Sequence, residues 1–471
     1  MTQHRVHVTF PGRLVMVGFG SIGQGVLPLI LRHIGITPDR ISIVTAEDAG
    51  QKEAAEFGVK FINHPLTREN FEQVLRPLLK RGDFLLNLSV DVSSIALIKL
   101  CHEIGALYLD TCIEPWPGGY TDPSISPARR TNYALREAAL DLRNTHKNGP
   151  TAVLTHGANP GLVSHFVKQA LLNIASDTNV QAGDPKSREE WAALAATLGV
   201  KVIHIAERDT QVANVPKRPG EFVNTWSVDG FVSEGAQPAE LGWGTHEKSL
   251  PPRGHLQEFG PKCAAYLLQP GAGTRVRTWT PKAGTFHGFL ITHGESISIA
   301  DYLSHRENGN VVYRPTVHYA YHPCDDAVLS VHEFAGRNWH LQDRKRILKD
   351  EIIEGIDELG VLLAGHKKNA YWYGSQLSID EARKLVPYNT ATSLQVCVAV
   401  LSGVVWAMEN PNVGVIEPDE MDFRRNLEIC MPYLGPVVGA YSDWTPLHDR
   451  SRLFAEDLDT SDPWQFKNVL V

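Results

Sequence analysis

The fold is decided by the stretch Arg13-Leu14-Val15-Met16-Val17-Gly18-Phe19-Gly20-Ser21-Ile22-Gly23-Gln24-Gly25. Residues 14–17 form a short apolar run typical of a buried parallel strand, and residues 26–31 continue as an apolar helix. Between them lies a Gly-x-Gly-x-x-Gly pattern: the first glycine permits a tight turn, the second lets a pyrophosphate approach, and the third lets the helix pack closely. A glycine-rich turn between core elements is the alternative, but the flanking strand and helix favour a dinucleotide-binding domain whose helix N-terminus faces the phosphates.

The composition is ordinary for a soluble globular protein, with 43% hydrophobic and 21% charged residues, and the 471-residue length predicts two or three domains. The net charge of −8 argues against nucleic acid or an anionic membrane as a partner and is compatible with a cationic substrate. We expect no signal peptide, and residues 396–408 are too short to span a bilayer and predict a buried helix. The six cysteines are too few for a disulfide scaffold, so we expect inert thiols and a cytoplasmic location.

The second predicted strand, residues 40–45, ends at Thr45 instead of the acid that usually contacts the adenosine ribose of NAD. Glu47 and Asp48 follow directly, so either acid, or a different contact, holds the ribose. No arginine lies at this turn to favour a 2′-phosphate. NAD is therefore the predicted cofactor.

Strands and helices alternate through the first part of the chain. Further apolar runs lie at residues 59–62, 83–88, 106–111 and 151–155, with helix-like segments between them. This order predicts an α/β fold with a Rossmann-type doubly wound parallel sheet, whose ligands lie beyond the carboxyl ends of the strands. The polar residues at those ends are Asn87, Ser89, Asp91, Thr111 and Glu114. We expect them at the rim of the nucleotide cleft, although each has an alternative as a helix cap or turn residue, with equal weight for Asp91.

A glycine-rich turn at residues 156–163 leads out of this domain. Pro160 suits the first position of a helix, so Asn159 is predicted to be its N-cap, a structural role sufficient by itself. The Asn159 amide is also placed to face the nicotinamide end of the cleft. The predicted division is an NAD-binding domain at 1–158, a mixed α+β catalytic and dimerisation domain at 159–394, and a segment at 395–471 that returns to cover the first domain.

The second domain contains apolar runs that carry or precede residues with chemistry. They are residues 201–206, 222–228, 231–235 and 288–298, all strand candidates. The residues in question are Glu207, Trp226, Glu234, His293 and Glu295. Taken singly, each has a structural alternative as a salt-bridged carboxylate, a core tryptophan or a hydrogen-bonded histidine.

Longer pieces of sequence carry a resemblance. They are residues 17–23 (VGFGSIG), 87–91 (NLSVD), 114–116 (EPW), 157–161 (GANPG), 204–210 (HIAERDT), 223–227 (VNTWS), 232–235 (VSEG), 292–301 (THGESISIAD), 318–323 (HYAYHP), 369–376 (NAYWYGSQ) and 461–466 (SDPWQF). In this order they resemble the bacterial homospermidine synthase family over essentially the whole chain. Two departures are Thr45, where the family leads us to expect an acid, and Gly294, where it leads us to expect a residue such as Asn.

The resemblance implies an NAD-dependent aminobutyl transfer without net redox change. Putrescine is oxidised to an imine, a second putrescine attacks, ammonia leaves, and the same hydride reduces the new imine to homospermidine. Spermidine serves as an alternative donor and then releases diaminopropane. A homodimer is implied as well.

With this chemistry in view, the predicted catalytic residues are Trp226, Glu207, Glu234, His293 and Asn159, and the predicted substrate-binding residues are Asp91, Glu114 and Glu295. The predicted cofactor-binding residues are Gly18, Gly20, Ser21, Ile22, Gly23, Thr45, Asn87, Ser89, Thr111, Asn159 and Pro160. The acids suit the ammonium ends of the substrate, and Trp226 stabilises a cationic imine by about 0.5–2 kcal/mol. His293 is the expected proton-transfer group near neutral pH. No metal site is predicted, because His318-x-x-x-His322 lacks a third ligand.

Two rival functions stay open. A saccharopine-reductase-like or carboxynorspermidine-type dehydrogenase would reduce an imine with net consumption of NAD(P)H and would need a basic site for a substrate carboxylate. A non-catalytic NAD-binding regulatory protein would tolerate the loss of His293 and the acids. The set of Trp226, Glu207 and Glu234 favours an all-cationic substrate.

Overall fold

The computed structural model describes residues 4–145 and 149–471. Its first part is built on a seven-stranded parallel sheet. In spatial order the strands are Val415–Ile416, Ala152–Val153, Leu107–Asp110, Phe84–Asn87, Leu14–Val17, Ile41–Thr45 and Lys60–Asn63. The accompanying helices are Ser21–His33, Gln51–Glu56, Phe71–Leu75, Ser94–Ile104, Asn132–Leu140 and Leu142–Thr145. The predicted doubly wound Rossmann-type sheet is confirmed.

The central strand of this sheet is Leu14–Val17, and all of its residues are buried. It pairs in parallel with Ile41–Thr45 on one side and with Phe84–Asn87 on the other. Because both faces are covered, the strand is apolar throughout instead of alternating. The chain order changes direction at this strand, and ligands of such sheets bind beyond the carboxyl ends at that point.

The turn out of the first domain differs from the prediction. The Gly157 N–H donates to the Pro160 carbonyl at 2.7 Å, and the next helix, Leu162–Asp177, starts only after this loop has closed. The prediction that Asn159 is the N-cap is therefore wrong, and its side chain is free for other contacts. Gly161 has a φ of 124°, and a Cβ there would lie 2.2 Å from the Gly157 carbonyl oxygen, so this tight loop requires glycine.

The second part of the chain is organised on a ten-stranded mixed sheet. Its main path is Gly254–Leu256, Ala264–Pro270, Pro238–Gly242, Thr316–His322, Val202–Asp209, Ile356–His366, Asn369–Ser378 and Val437–Ser442, and the hairpin of Arg275–Thr280 and Gly284–Phe289 joins at Thr316–His322. Its helices are Leu162–Asp177, Arg188–Leu198, Val228–Ala236, Gly294–Tyr302, Asp325–Gly336, Ile379–Leu385, Phe423–Cys430 and Phe466–Val469. This is the expected mixed α+β arrangement.

Shorter elements complete the description. The small strand pairs are Val8–Thr9 with Ile34–Gly35, Val212–Ala213 with Ile352–Glu354, Glu221–Asn224 with Arg344–Ile347, and His305–Glu307 with Asn310–Tyr313. Short 3₁₀ turns are Pro38–Arg40, Pro127–Arg129, Gly271–Gly273, Pro418–Glu420 and Met431–Tyr433.

The strand candidate at 231–235 is helical instead, and the candidate at 288–298 is a strand only at its start. Residues 231–235 lie in helix Val228–Ala236, which starts where the Ser227 hydroxyl accepts a hydrogen bond from the Gly230 N–H at 3.0 Å. Residues 294–298 open helix Gly294–Tyr302. A short buried apolar run does not distinguish a strand from a helical turn, and here the capping hydroxyl decided the first case.

The C-terminal segment divides between the two sheets. Helix Ala391–Glu409 packs beside Ser21–His33, and strand Val415–Ile416 extends the first sheet. Val437–Ser442 instead pairs with Asn369–Ser378 at the edge of the second sheet. Residues 395–471 therefore do not all pack on the first domain, because strand Val437–Ser442 pairs with the edge of the second sheet. The division of the chain into three parts remains a prediction.

Helix Ala391–Glu409 is long and apolar enough to cross a bilayer, with a mean hydropathy of 1.7. However, 94% of its most apolar window is buried inside the protein. The Thr390 hydroxyl caps its start by accepting a hydrogen bond from the Ser393 N–H at 3.0 Å. Its burial is that of a core helix, as predicted for residues 396–408.

Candidate active site

A cavity lies between the two parts of the chain, at the carboxyl ends of the first-sheet strands. Its lining consists of Ile22, Leu88, Ser89, Val90, Thr111, Cys112, Glu114, Gly157, Ala158, Asn159, Glu207, Trp226, Ser227, Gly230, Glu234, His293, Tyr319, Thr392 and Val396. The first sheet, the second sheet and the long C-terminal helix therefore all contribute to one site.

The glycine-rich turn leaves room for a dinucleotide. A Cβ on Gly20 would have no heavy atom within 4 Å, whereas a Cβ on Gly23 would lie 2.9 Å from the Phe19 ring. Within the described chain, no side chain caps helix Ser21–His33, and the buried Ser21 hydroxyl has no hydrogen-bond partner. Free N–H groups and an unpaired hydroxyl at a helix N-terminus are donors from which a pyrophosphate accepts hydrogen bonds. The residues present therefore fit NAD.

This geometry predicts different effects for two glycine substitutions. Gly20→Ala should weaken NAD binding by about tenfold or more, because the methyl group occupies space through which the pyrophosphate approaches. It should leave Tm unchanged, because the methyl group contacts no other protein atom. Gly18→Ala should lower Tm instead, since Gly18 has a φ of 85° and its Cβ would lie 2.7 Å from the Leu88 carbonyl oxygen. Isothermal titration and thermal unfolding check the pair; a Gly20→Ala variant with unchanged affinity would contradict the assignment.

His293 lies between two carboxylates in the cavity wall. Its Nε2 is 3.0 Å from Oε2 of Glu234, and its Nδ1 is 3.3 Å from Oε1 of Glu295. Burial lowers the pKa of this imidazole, but the charges and hydrogen bonds of Glu295 and Glu234 outweigh burial and raise the pKa to about 10. The expectation that His293 titrates near neutrality is contradicted, because the sequence did not show that two acids flank the ring. His293 is protonated at neutral pH and pairs with Glu234.

Glu207 is a carboxyl group that does titrate near neutral pH. Its Oε2 accepts hydrogen bonds from the Tyr319 hydroxyl at 2.6 Å and from the Asn159 amide at 3.0 Å. Burial and the charge of Asp209 raise the pKa of Glu207 to about 7, while these two hydrogen bonds act in the opposite direction. A buried group with this pKa can accept and return a proton at physiological pH.

The Tyr319–Glu207 hydrogen bond predicts a shift in pH dependence. Tyr319→Phe removes a donor to the ionised carboxylate, so the pKa of Glu207 should rise further and the acidic limb of kcat/KM should move to higher pH. A hydrogen bond to a charged group contributes about 1.5–3 kcal/mol, so kcat/KM at pH 6 should fall about tenfold and at pH 9 much less. A pH profile of wild type and variant checks this; equal losses at all pH values would show a purely structural effect.

Trp226 forms an aromatic wall beside these acids. Its indole N–H donates to the Tyr321 hydroxyl at 3.1 Å, and its ring centroid lies 5.9 Å from that of Phe231. Gly230 lets the indole lie against the helix, since a Cβ there would be 3.1 Å from Cζ3 of the indole. Tyr321 stacks on Tyr319 with centroids 5.3 Å apart and an interplanar angle of 12°. One pair of tyrosines therefore orients both the indole and the buried carboxylate.

Glu114 and Asp91 belong to the first-sheet side of the site. The Asp91 N–H faces Oε2 of Glu114 at 3.4 Å. Burial raises the pKa of Glu114 to about 8, with a further contribution from the charges of Asp91 and Glu234. Asp91 is exposed and does not cap the following helix, because the Ser93 hydroxyl accepts the capping hydrogen bond from the Ala96 N–H at 3.4 Å.

The predicted residues fall into groups. The cavity brings together Ile22, Ser89, Thr111, Glu114, Asn159, Glu207, Trp226, Glu234 and His293. Outside its lining are Gly18, Gly20, Ser21, Gly23, Thr45, Asn87, Asp91, Pro160 and Glu295. Asn87 positions the loop by accepting a hydrogen bond from the Ser89 hydroxyl at 2.6 Å, and Glu295 supports His293 from behind. Thr45 pairs with Asn63, whose amide donates to Asp48 at 2.5 Å, so Asp48 is the acid attached to this strand end.

Sequence reasoning missed several lining residues, among them Tyr319, Thr392 and Val396. Tyr319 and Tyr321 had a usable signal, because residues two apart on a strand point to the same face. The C-terminal helix residues had none, since their approach depends on a contact distant in sequence. Burial raises the pKa of the Cys112 thiol, so this cysteine is not a thiolate nucleophile.

A further pair of buried acids stands beside Glu207. Asp209 and Asp357 are directly opposite each other on antiparallel strands, and both are fully buried. Asp209 accepts a hydrogen bond from the Thr225 hydroxyl at 2.7 Å, whereas neither carboxylate oxygen of Asp357 has a partner among the described residues. Burial, with the charges of Glu207 and Asp209, raises the pKa of Asp357 well above its ordinary value. Burial and the neighbouring negative charges therefore favour the protonated form of Asp357.

Comparison with known proteins agrees with this geometry. The saccharopine dehydrogenase NADP binding domain family matches residues 14–153, and the saccharopine dehydrogenase C-terminal domain family matches residues 157–441. A homospermidine synthase of Blastochloris viridis is 57% identical over 100% of this chain and 100% of its own length. A homospermidine synthase of Mesorhizobium japonicum is 54% identical over 99% of this chain and 98% of its own length.

Solved structures give the same result. The crystal structure of a homospermidine synthase from Legionella pneumophila in complex with NAD has a TM-score of 0.93 and 50% identity, covering 100% of this chain and 99% of that chain. A saccharopine dehydrogenase from Saccharomyces cerevisiae shares the fold, with a TM-score of 0.50 and 10% identity over 92% of this chain and 100% of that chain. The resemblance found in the sequence is confirmed: the chain belongs to the homospermidine synthase family, within the saccharopine dehydrogenase group.

Proposed function

We propose that this protein is a homospermidine synthase that transfers an aminobutyl group from putrescine or spermidine to putrescine. The observation that carries the proposal is the charge of the cavity wall. Glu114, Glu207 and Glu234 line it, and the described lining includes neither lysine nor arginine. The single cationic group, His293, is paired with Glu234 and Glu295. Glu114 and Glu207 are buried and have no ion-pair partner among the described residues, and a chain with an ammonium group at each end supplies a cation for both.

NAD is the proposed cofactor, held by the turn at Gly18–Gly23 and by the free N-terminus of helix Ser21–His33. When bound, NAD accepts a hydride from the donor carbon and later returns it. The chain contributes binding, orientation and proton transfer. Cavity-lining Ser89 and Thr111 stand at the carboxyl ends of neighbouring strands, where the nicotinamide side of such a ligand lies.

Glu207 performs the first proton transfer. It accepts a proton from the donor ammonium, so that the carbon can lose a hydride and a C=N bond can form. The acceptor ammonium loses its proton to the ionised form of Glu114, which a pKa of about 8 makes increasingly available above neutral pH. The acceptor nitrogen then bonds to the imine carbon, a proton moves from the new nitrogen to the old one, and the old C–N bond breaks to release ammonia. After hydride return, Glu207 gives its proton to the product amine, and Glu114 releases its proton to solvent, so both carboxyl groups return to their starting state.

Trp226 stabilises the cationic imine without exchanging a proton. Its indole N–H is engaged by Tyr321, so the π face is available to the cavity. A desolvated cation over an indole face is stabilised by about 2 kcal/mol or more. Burial of the whole site also keeps water from hydrolysing the imine.

Product analysis tests this function. The purified protein is incubated with putrescine and catalytic NAD, and products are identified by mass spectrometry. We expect homospermidine and ammonia without accumulation of NADH. Stoichiometric NADH without homospermidine would indicate a simple amine dehydrogenase, and net NAD(P)H consumption with a carboxylated substrate would support the saccharopine-reductase-like rival. Bound NAD without any product would support a regulatory protein.

A homodimer and a cytoplasmic location complete the proposal. The six cysteines, Cys101, Cys112, Cys263, Cys324, Cys397 and Cys430, are all free thiols, which suits a reducing compartment. The aromatic residues near the C-terminus, Trp444, Trp464 and Phe466, are buried against the second sheet of the same chain. Exposed Leu453 and Phe454 are the apolar residues of the tail that a second subunit would cover. Light scattering measures the mass in solution.

A further inference from the structure

A second, much smaller cavity adjoins the active-site cavity. Cys112, Glu234 and His293 line both spaces, so these side chains form a shared partition. The small cavity encloses about 10 Å³, against about 110 Å³ for the larger one. A cavity of that size holds one molecule as small as water, and it excludes a diamine.

The small cavity also adjoins an open cleft of about 420 Å³. Arg136 and Glu417 line both the small cavity and the cleft. Nε of Arg136 donates to Oε1 of Glu417 at 2.7 Å, and Nη2 donates to Asp301 at 2.9 Å. This ion pair separates the small cavity from the cleft, and Arg136 itself is only 4% exposed.

We propose that the small cavity is the exit route for ammonia, leading from His293 and Glu234 past Arg136 and Glu417 into the cleft. The proposal rests on the aminobutyl transfer proposed above. When the new C–N bond has formed and the old one breaks, the joined chains still lie in the larger cavity. The freed ammonia is the one product small enough to leave through a space that admits a single water-sized molecule.

The polar groups of the small cavity suit a neutral hydrogen-bonding molecule. Glu234 is paired with His293, and Glu417 is paired with Arg136, so each carboxylate on the route already has a cation. The Asn132 amide also lines the space and donates to Thr292 at 3.3 Å. The small cavity therefore does not need to bind a further cation. A neutral ammonia molecule can donate hydrogen bonds to the oxygen atoms that line it.

Gly294 makes the route open to a direct test. It lines the small cavity, and a Cβ there would meet only Pro160 Cγ at 3.5 Å and Thr155 Cγ2 at 3.8 Å, which are ordinary contacts. A methyl group at this position is therefore accommodated, and a larger side chain would fill the small cavity. The residue is absent from the lining of the larger cavity.

The experiment follows nitrogen. Wild type, Gly294→Ala, Gly294→Leu and the control Gly336→Leu are incubated with putrescine, NAD and ¹⁵N-ammonium chloride. Labelled ammonia enters putrescine by displacing the imine nitrogen before hydride return. A parallel assay with spermidine and putrescine measures diaminopropane, which is too large for the small cavity. Gly336 ends helix Asp325–Gly336 with nothing within 4 Å of its Cβ position, so it controls for an added side chain.

We expect Gly294→Leu to lower ¹⁵N incorporation and ammonia release about fivefold or more, and Gly294→Ala to lower both less. First-turnover NADH formation and diaminopropane release should stay within about twofold, as should all rates of Gly336→Leu. Unchanged exchange, or an equal loss of NADH formation, would overturn the route. If Tm shows that leucine disturbs the fold, Gly294→Ala, which adds only one methyl group, is the variant that tests the route. A wild type that makes no homospermidine would instead refute the proposed function.

Discussion

Replacing Glu207 with Gln is expected to lower kcat by about 10²–10⁴-fold, the usual contribution of a positioned general acid–base group. The amide has nearly the same shape and still accepts a hydrogen bond from Tyr319, but it cannot take the proton of the donor ammonium. The donor ammonium then stays protonated, and the hydride cannot leave its carbon. Stopped-flow measurement of NADH formation with putrescine reports this step directly.

A stability measurement separates this loss from misfolding. Burial raises the pKa of Glu207 to about 7, above its unfolded value, so the contribution of the carboxyl to stability is full at low pH and is lost as pH rises through 7. Glu207→Gln should therefore match wild type in Tm near pH 4 and exceed it above pH 7. The exposed Glu354→Gln, on strand Ile352–Glu354, is the matched control and should change neither quantity. A Glu207→Gln variant with more than a tenth of wild-type kcat would contradict the assignment.

Replacing Trp226 with Ala should lower kcat about 30-fold or more, because a desolvated cation–π contact of about 2 kcal/mol is lost together with packing. Trp226→Phe keeps an aromatic face and should therefore keep most of the activity that Trp226→Ala loses. Trp226→Leu fills the wall without a π face, so its activity should resemble that of Ala, and Trp226→Glu should also fall below Phe. Steady-state kinetics with putrescine, with NAD saturating, ranks the four variants.

The comparison of Phe with Leu isolates the electrostatic contribution, since both are apolar and cover the neighbouring Phe231. Tyr321→Phe is a second control, because it keeps the ring and removes only the hydrogen bond to the indole N–H at 3.1 Å. Its effect should be smaller than that of Trp226→Ala. Equal activities for the Phe and Leu variants would refute a cation–π role and leave Trp226 as a packing residue.

Much of the fold was predictable from local pattern. The strand–glycine–helix stretch specified the centre of the first sheet, because a buried parallel strand must be apolar on both faces and the turn after it needs glycine. The turn at residues 157–161 was not predictable, since the Gly157–Pro160 hydrogen bond closes a loop where Pro160 suggested a helix. The strand candidate at 231–235 failed because short apolar runs are ambiguous until a cap such as Ser227 is known.

The sequence by itself determined the Rossmann domain, the family and the identity of most acids in the cavity, since glycine patterns, apolar periodicity and motifs are local. Only the tertiary structure decided what those acids do. The pKa of His293 depends on Glu234, 59 positions away, and that of Glu207 depends on Asn159, Tyr319 and Asp209. Burial and neighbouring charge set proton affinity, and both are properties of the packed site that no stretch of chain carries alone.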